Sequence, residues 1–107
     1  MSSGTRFGIR FAPEVVGQLD AVERKYHGLI RKAIEAQLTH APEQETINRK
    51  PLEQPAAFGA TWELRCGPSN RFRIFYEVAI SERAVSILAI GIKERDRLLI
   101  GGEEFEL

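Results

Sequence analysis

The chain has 107 residues, 43% of them hydrophobic and 28% charged, and its 15 Lys and Arg side chains balance its 15 Asp and Glu side chains. This length suffices for one hydrophobic core, so the sequence predicts a single domain over residues 1–107. The composition excludes a disordered chain. The zero net charge excludes a protein that holds nucleic acid through an overall positive charge, so any such contact must be local.

Cysteine content and apolar run length indicate the compartment. Cys66 is the only cysteine, so no disulfide can form within the chain, as is usual in a reducing compartment. The longest apolar run, residues 84–89, is too short to cross a bilayer. We therefore expect a cytoplasmic protein with no membrane contact. Cys66, His27 and His40 show no metal-ligand spacing, and neither a metal nor a cofactor is expected.

The first part of the chain predicts a strand and two helices. Residues 6–11, RFGIRF, alternate between polar or small and apolar side chains, as in a half-buried strand. Pro13 suits the first turn of a helix. An apolar stripe at helical spacing follows at Val15, Leu19, Val22 and Tyr26. A second stripe begins at Ile30 and ends before Pro42, with a break at Gly28, which predicts a helical hairpin.

The rest of the chain predicts a loop and three strands. Residues 42–60 are polar and contain two internal prolines, so we expect a long surface loop, a kind of segment that often carries function. Three apolar or alternating segments with short connections predict antiparallel strands, near residues 62–66, 72–78 and 84–91. The last of these is apolar on both faces, as in a central strand covered on both sides. Residues 98–107 add a short edge strand or a docked tail.

This order of elements predicts an α+β domain. A helical hairpin is expected to pack on one face of a four-stranded, mainly antiparallel sheet, in the order β-α-α-β-β-β, with the first strand beside the last long one. The helices should cover the face that carries Trp62 and Leu64. By alternation the opposite, uncovered face carries several charged side chains, namely Glu63, Arg65, Arg71, Arg73 and Glu77.

Several fragments resemble the RelE/ParE superfamily of type II toxin–antitoxin toxins. In that family a segment of the form LR…YRxxY is followed by ILxIGxR. The matching residues here are Leu64-Arg65, Phe72-Arg73 with Tyr76, and the run from Ile87 to Gly91. The layout of nearly the whole chain is similar, and the specific residues lie in 49–95. The resemblance implies a toxin whose partner is a protein antitoxin.

The resemblance implies alternative targets. RelE-like relatives are ribonucleases that cut mRNA on the ribosome without a metal, in a reaction that needs a base, an acid and cations around the phosphate. ParE-like relatives poison DNA gyrase and need no catalytic site. A fold relative that has lost toxicity would mainly bind its antitoxin. Basic residues on one sheet face favour the ribonuclease, an mRNA interferase, over gyrase inhibition, and a homodimer is compatible with each alternative.

The resemblance also implies site residues. Arg73 matches the strand arginine with which the family holds phosphate, and Lys93 matches a basic residue just after the IG of the last strand. Together with Arg65 they are the expected catalytic cations, and Glu63 and Glu77 are candidate bases. An ion-pair cluster on the sheet surface is the alternative explanation of both glutamates, because a carboxylate between two guanidinium groups would be a weak base.

Two departures count against the RelE-type reaction. Where RelE-like relatives have lysines this chain has Thr61 and Glu63, and in place of their C-terminal tyrosine it has residues 98–100. Four further basic residues are expected to contact RNA, namely Arg49, Lys50, Arg71 and Arg95, although Arg49 and Lys50 also fit a solvated loop. An alternative places the acidic segment 103–107 over the basic face in the free protein. Cys66 is expected to be a buried, unreactive core residue.

Overall fold

The computed structural model describes residues 6–106, so residues 1–5 and 107 of the predicted domain lie outside the described part. Two helices pack on a seven-stranded sheet within this range, which confirms the α+β class, whereas the predicted count of four strands is wrong. The elements in chain order are β1 (Gly8–Phe11), α1 (Pro13–Leu19), α2 (His27–Leu38), β2 (Arg49–Pro51), β3 (Trp62–Cys66), β4 (Phe72–Ala79), β5 (Ala84–Glu94), β6 (Arg97–Ile100) and β7 (Glu103–Phe105).

The long strand β5 is the centre of the sheet. β4 pairs with it in antiparallel fashion along one side. The other side is shared, because β1 pairs in parallel with residues 84–87 and β6 pairs in antiparallel fashion with residues 91–94. The predicted place of the first strand beside the last long one is therefore confirmed. β3 and β2 extend the sheet beyond β4, and β7 extends it beyond β6.

A bulge interrupts the pairing of β4 with β5. Phe75 is opposite Ala89 and Tyr76 is opposite Ile87, so Leu88 is an extra residue in β5. A bulge of this kind puts two residues of one strand opposite one residue of its partner and bends the strand. Residues on both sides of the bulge still reach the core beneath the helices, namely Val85, Ile87 and Ile90.

The helical hairpin breaks earlier than predicted. α1 ends at Leu19, a 3-10 turn covers Arg24–Tyr26, and Gly28 lies inside the first turn of α2. His27 explains the position of the break, because its Nε2 lies 3.0 Å from the carbonyl oxygen of Leu19 and 2.9 Å from that of Val22. Carbonyl oxygens only accept, so this nitrogen carries the hydrogen and donates it. The imidazole thus donates to carbonyl groups at and just beyond the end of α1, of which that of Leu19 also accepts from the N–H of Val22.

The face beneath the helices holds the larger core. Its members from the helices are Val15, Ile30, Ile34 and Leu38, Val22 comes from the connection between them, and its strand members are Leu64, Cys66, Phe72, Ile74, Tyr76, Val85, Ile87 and Ile90. Trp62 packs against this cluster, so the predicted helix-covered face is confirmed. The fully buried Tyr76 keeps its hydroxyl satisfied by donating to the carbonyl oxygen of Pro42 at 2.8 Å.

The opposite face is partly covered by a second, smaller core. Its buried members are Ala56, Ala60, Phe75, Ala89, Leu98 and Ile100. Phe58 joins them, with its ring centroid 5.7 Å from that of Phe75 and 5.8 Å from that of Phe105. β5 is therefore covered on both faces, as predicted. The expectation of a wholly uncovered opposite face is wrong.

The segment 42–60 is more structured than predicted. Arg49–Pro51 forms the edge strand β2, and residues 52–60 carry apolar side chains onto the sheet. These apolar residues are too few and too irregularly spaced to show a period in the sequence. The predicted edge strand near the end of the chain is confirmed as β7, which follows a turn at Gly101 and Gly102, where φ is +62° and +86°. Neither helix in the described residues has the length and apolar character needed to cross a membrane.

Candidate functional site

A buried carboxylate is the centre of the candidate site. Glu63 lies on β3 with only 8% of its side chain exposed. Its Oε2 is 3.1 Å from Nη1 of Arg73, and its Oε1 is 3.4 Å from Nε of Arg65. Arg65 and Arg73 are directly opposite each other across β3 and β4, an arrangement in which like charges repel. Glu63 supplies the negative charge that makes this pairing tolerable.

Arg73 is held from two sides. Besides its ion pair with Glu63, its Nε donates a hydrogen bond to the carbonyl oxygen of Asn70 at 2.9 Å. Only 15% of its side chain is exposed. Arg73, which the resemblance expects to hold phosphate, is paired within the protein with Glu63. Glu63 thus forms ion pairs with both arginines, as its alternative explanation expected, but it is buried and not on the sheet surface.

Four of the five predicted catalytic residues line one groove. The groove has a volume of about 470 Å³, and its walls include Glu63, Arg65, Arg73 and Lys93. The remaining lining residues are Asp96, Leu98, Phe105 and Glu106. Three cationic and three anionic side chains therefore share the groove, and their formal charges sum to zero. A phosphate-binding surface usually has a positive excess.

Glu77 is separated from this cluster. It lies four positions beyond Arg73 along β4, or about 13 Å at the usual strand rise. It is exposed, does not line the groove, and has no ion-pair partner within 4 Å among residues 6–106. Neither the predicted role beside Arg73 nor the ion-pair alternative therefore fits Glu77 in this structure.

The four residues expected to contact RNA do not converge. Lys50 is exposed on the edge strand β2, and Arg95 is exposed in the turn between β5 and β6. Arg71 lies over the ring of Phe72, with 5.6 Å between its guanidinium carbon and the ring centroid. None of these side chains lines the groove of Glu63. A continuous basic path from the loop to the sheet is therefore absent from the described residues.

Arg49 is an interior residue, and its expected RNA contact is wrong. It is 8% exposed, and its Nη1 donates to the carbonyl oxygen of Gln37 in the last turn of α2. Unpaired carbonyl groups and the helix dipole make that position favourable for a cation. Its Nε has no hydrogen-bond partner among the described residues. Burial raises the pKa of Tyr76 nearby, while the charge of Arg49 opposes that rise.

Cys66 fits its predicted role as an unreactive core residue. It is buried against the helices, and burial raises the pKa of its thiol to about 11. The thiolate is the reactive form, so a thiol with this pKa reacts slowly near neutral pH. Among residues 6–106, no group of three or more His, Cys, Asp and Glu side chains is placed to hold a metal ion.

The sequence did not single out Asp96, Leu98, Phe105 and Glu106 as site residues. Asp96 belongs to the mixed-charge run KERDR, in which nothing distinguishes it from its neighbours. The acidic segment near the end of the chain did give a signal, because one alternative placed it over the basic face. The structure agrees with that alternative for Phe105 and Glu106, which line the groove beside the three cations.

Comparison with known proteins adds information on the whole chain. A family model described as the ParE toxin of type II toxin–antitoxin system, parDE, matches residues 9–97. The fold is similar to that of a chain in the crystal structure of the toxin–antitoxin complex RelBE2 from Mycobacterium tuberculosis. That match has a TM-score of 0.67 and 18% identity, and it covers 83% of this chain and 93% of that chain. No curated protein is significantly similar to the chain.

Proposed function

This chain belongs to the ParE toxin family of type II toxin–antitoxin systems, and we propose that it stops growth by binding a protein target, DNA gyrase, rather than by cutting RNA. One observation carries this proposal. The buried carboxylate of Glu63 already engages Arg73 and Arg65, at 3.1 and 3.4 Å. Asp96 and Glu106 line the same groove, so its three cationic side chains face three anionic ones and it lacks the positive excess that a reacting phosphate would need.

The cost of freeing these arginines supports the proposal. RNA cleavage needs cations that take up charge as it builds on the phosphate. Arg73 would have to exchange Glu63 for the phosphate, which would leave a carboxylate with 8% side-chain exposure without its strongest partner. Removing one partner of a buried ion pair costs about 3–5 kcal/mol, and the cost here is smaller because Glu63 would keep its contact with Arg65. A toxin that acts by binding a protein surface, as ParE-like relatives are understood to do, avoids this cost.

Ribosome-associated mRNA cleavage is the second candidate. Its supporting observation is that Arg65, Arg73 and Lys93 converge on one groove, as the resemblance implies. Arg65 is 32% exposed, and within residues 6–106 Lys93 has no ion-pair partner within 4 Å. Those two cations are therefore the groups best placed to meet a phosphate of the messenger.

Two assays on the purified toxin separate these candidates. We expect it to inhibit DNA supercoiling by gyrase and to leave mRNA intact on translating ribosomes. Cleaved mRNA together with normal supercoiling would contradict gyrase inhibition and support mRNA cleavage. If the toxin has neither activity and its expression leaves growth unaffected, the proposal fails and a purely antitoxin-binding role is favoured.

A matched pair of lysine variants sharpens the test. Lys93→Gln removes a cation from the groove, and Lys50→Gln removes an exposed lysine from β2 outside it. If the groove cuts RNA, Lys93→Gln should lower the cleavage rate about 10²–10³-fold, the usual effect of removing one group that stabilises the transition state. If gyrase is the target and the groove has no catalytic role, both variants should arrest growth as the unmodified toxin does.

An antitoxin is the partner expected from family membership. The family is described as the toxin of a two-component system, so we propose that a protein antitoxin encoded with this chain binds it in the cytoplasm. Co-expression with the adjacent small reading frame should restore growth and give a complex that survives gel filtration. Failure of every neighbouring reading frame to do so would count against this partner.

A further inference from the structure

The carboxylates of the groove come from two sources. Glu63 belongs to the sheet, where it pairs with Arg65 and Arg73. Asp96 and Glu106 are brought to the groove by other segments, the first by the turn between β5 and β6 and the second by the residue after β7. Both are exposed, and neither belongs to a hydrophobic core. Their contribution to the groove is therefore chiefly electrostatic.

We propose that Asp96 and Glu106 act as a built-in electrostatic mask, which stops the three cations of this groove from binding a phosphate-bearing polyanion. With both carboxylates present, three cations face three anions and the sum is zero. Without them three cations face only Glu63, and the sum is +2. This inference goes beyond the proposed function, because it concerns what controls the groove and not which target the toxin reaches.

The size of the groove makes two carboxylates sufficient. A volume of about 470 Å³ corresponds to a space roughly 8 Å across. The Debye length is about 10 Å at 0.1 M ionic strength, so salt screens charges within this space from one another only in part. Each carboxylate therefore lowers the potential over the whole groove. Lys93, for which no ion pair is found among the described residues, should be affected most.

The mask is held in place by the strand that carries it. Phe105 packs edge-on against Phe58 in the second core and is paired with Leu98 of β6. One residue before Phe105, the carboxylate of Glu104 lies 3.8 Å from the guanidinium group of Arg97. Glu106 thus directly follows an anchored residue. β7 is also the last strand on its side of the described sheet, so a partner that moved it would carry Glu106 away and expose the cations.

Binding of single-stranded RNA tests the mask directly. The probe is a fluorescein-labelled 12-nucleotide RNA, measured by anisotropy with the full-length toxin between 50 and 200 mM salt. We expect the double variant Asp96→Asn/Glu106→Gln to bind at least fivefold more tightly than the unmodified protein at 50 mM salt. Its salt dependence should be steeper by about 1.4 in the slope of log K against log salt, if two more phosphates are neutralised.

Two controls locate the effect. Glu14→Gln/Glu45→Gln removes the same charge from exposed positions outside the groove and should bind RNA as the unmodified protein does. Adding Lys93→Gln to the Asp96→Asn/Glu106→Gln variant should lower its RNA affinity most of the way back to that of the unmodified protein. The proposal is overturned if the mask variant binds no more tightly than the Glu14/Glu45 variant, or if Lys93→Gln leaves its affinity high. Inhibition of supercoiling by the unmodified toxin is a separate readout, so the mask and the proposed target can fail independently.

Discussion

The two faces of the sheet are closed by different means. Two amphipathic helices cover one face, and 13 buried residues form its core, whereas residues 52–60 and the β6–β7 hairpin cover the other with six. The larger core is therefore the main source of stability, since stabilisation follows the apolar area removed from water. The smaller core leaves part of its face open, and the groove lined by Glu63, Arg65, Arg73 and Lys93 lies there.

This difference assigns separate tasks to the two faces. Among the described residues, the one buried charged side chain on the helix-covered face is Arg49, which lies on the edge strand β2 and donates to the end of α2. The other face combines small apolar residues with a carboxylate, two guanidinium groups and exposed acidic residues within one groove. Regions with fewer buried apolar contacts open more readily, and binding surfaces are commonly found there. The following predictions test this division, from the largest expected effect to the smallest.

The comparison of cores is tested by matched truncations. Ile34→Ala removes a side chain that is 1% exposed beneath α2, and Leu98→Ala removes one that is 8% exposed in the second core. Both substitutions delete the same number of carbon atoms, and such changes cost about 2–5 kcal/mol of unfolding free energy. We expect Ile34→Ala in the upper half of that range and Leu98→Ala near its lower end, by urea denaturation. Equal losses would show that the two faces contribute alike.

The charged centre of the second face should also contribute to stability. Glu63→Gln keeps the shape of the side chain but leaves Arg65 and Arg73 opposite each other without a counter-charge. We expect it to lower the unfolding free energy by about 1–3 kcal/mol at neutral pH. Glu77→Gln, at an exposed glutamate of β4, is the control and should change stability by less than about 0.5 kcal/mol. A neutral result for Glu63→Gln would mean that the cluster is not a structural element.

The burial of the Cys66 thiol beneath the helices predicts that the free energy of unfolding depends on pH above neutrality. Burial raises the pKa of the Cys66 thiol from 9.0 to about 11, so above pH 9 the unfolded chain binds fewer protons than the folded one. The stability that this thiol contributes is therefore complete below pH 9 and is lost as the pH rises toward 11. The loss should reach about 1 kcal/mol at pH 10.

Cys66→Ala provides the reference for that measurement. In thermal or urea unfolding between pH 8 and 10, the alanine variant should lose less stability than the unmodified protein, while both retain the contribution of Tyr76. Parallel pH profiles for the two proteins would mean that the thiol is accessible to water in the folded state.

The parts of the fold that local pattern encodes could be predicted from the sequence. The two-sided apolar character of residues 84–91 indicates a central strand, and the alternation of RFGIRF indicates a strand beside it. Local pattern is not enough to predict the end of an element when a single side-chain hydrogen bond determines it. His27 moves the helix break away from Gly28 through bonds to carbonyl groups five and eight residues earlier. No periodicity in the sequence reports such a bond.

The central residues of the candidate site were predictable, but its other lining residues and its electrostatics were not. The resemblance brought Arg65, Arg73, Lys93 and Glu63 together on one surface, and the structure places all four on one groove. It could not show that both arginines share Glu63, or that Asp96 and Glu106 approach from other segments. Those facts depend on strand register and on the β6–β7 hairpin. Arg49 was misassigned because an edge strand of three residues leaves no pattern by which its burial could be recognised.

The single extra residue in β5, Leu88, determines on which face of the sheet Lys93 lies. Val85 and Ile87 point to the helices, and strict alternation from them would send Lys93 to the same side, into the apolar layer. Because Leu88 has no partner on β4, the parity reverses and Lys93 emerges on the groove side. If the same residues of β5 paired with β4 without this bulge, each residue after Leu88 would turn to the other face and the ammonium group would leave the groove. The irregular pairing at this point thus matters as much as residue identity, because regular pairing would relocate the lysine without any substitution.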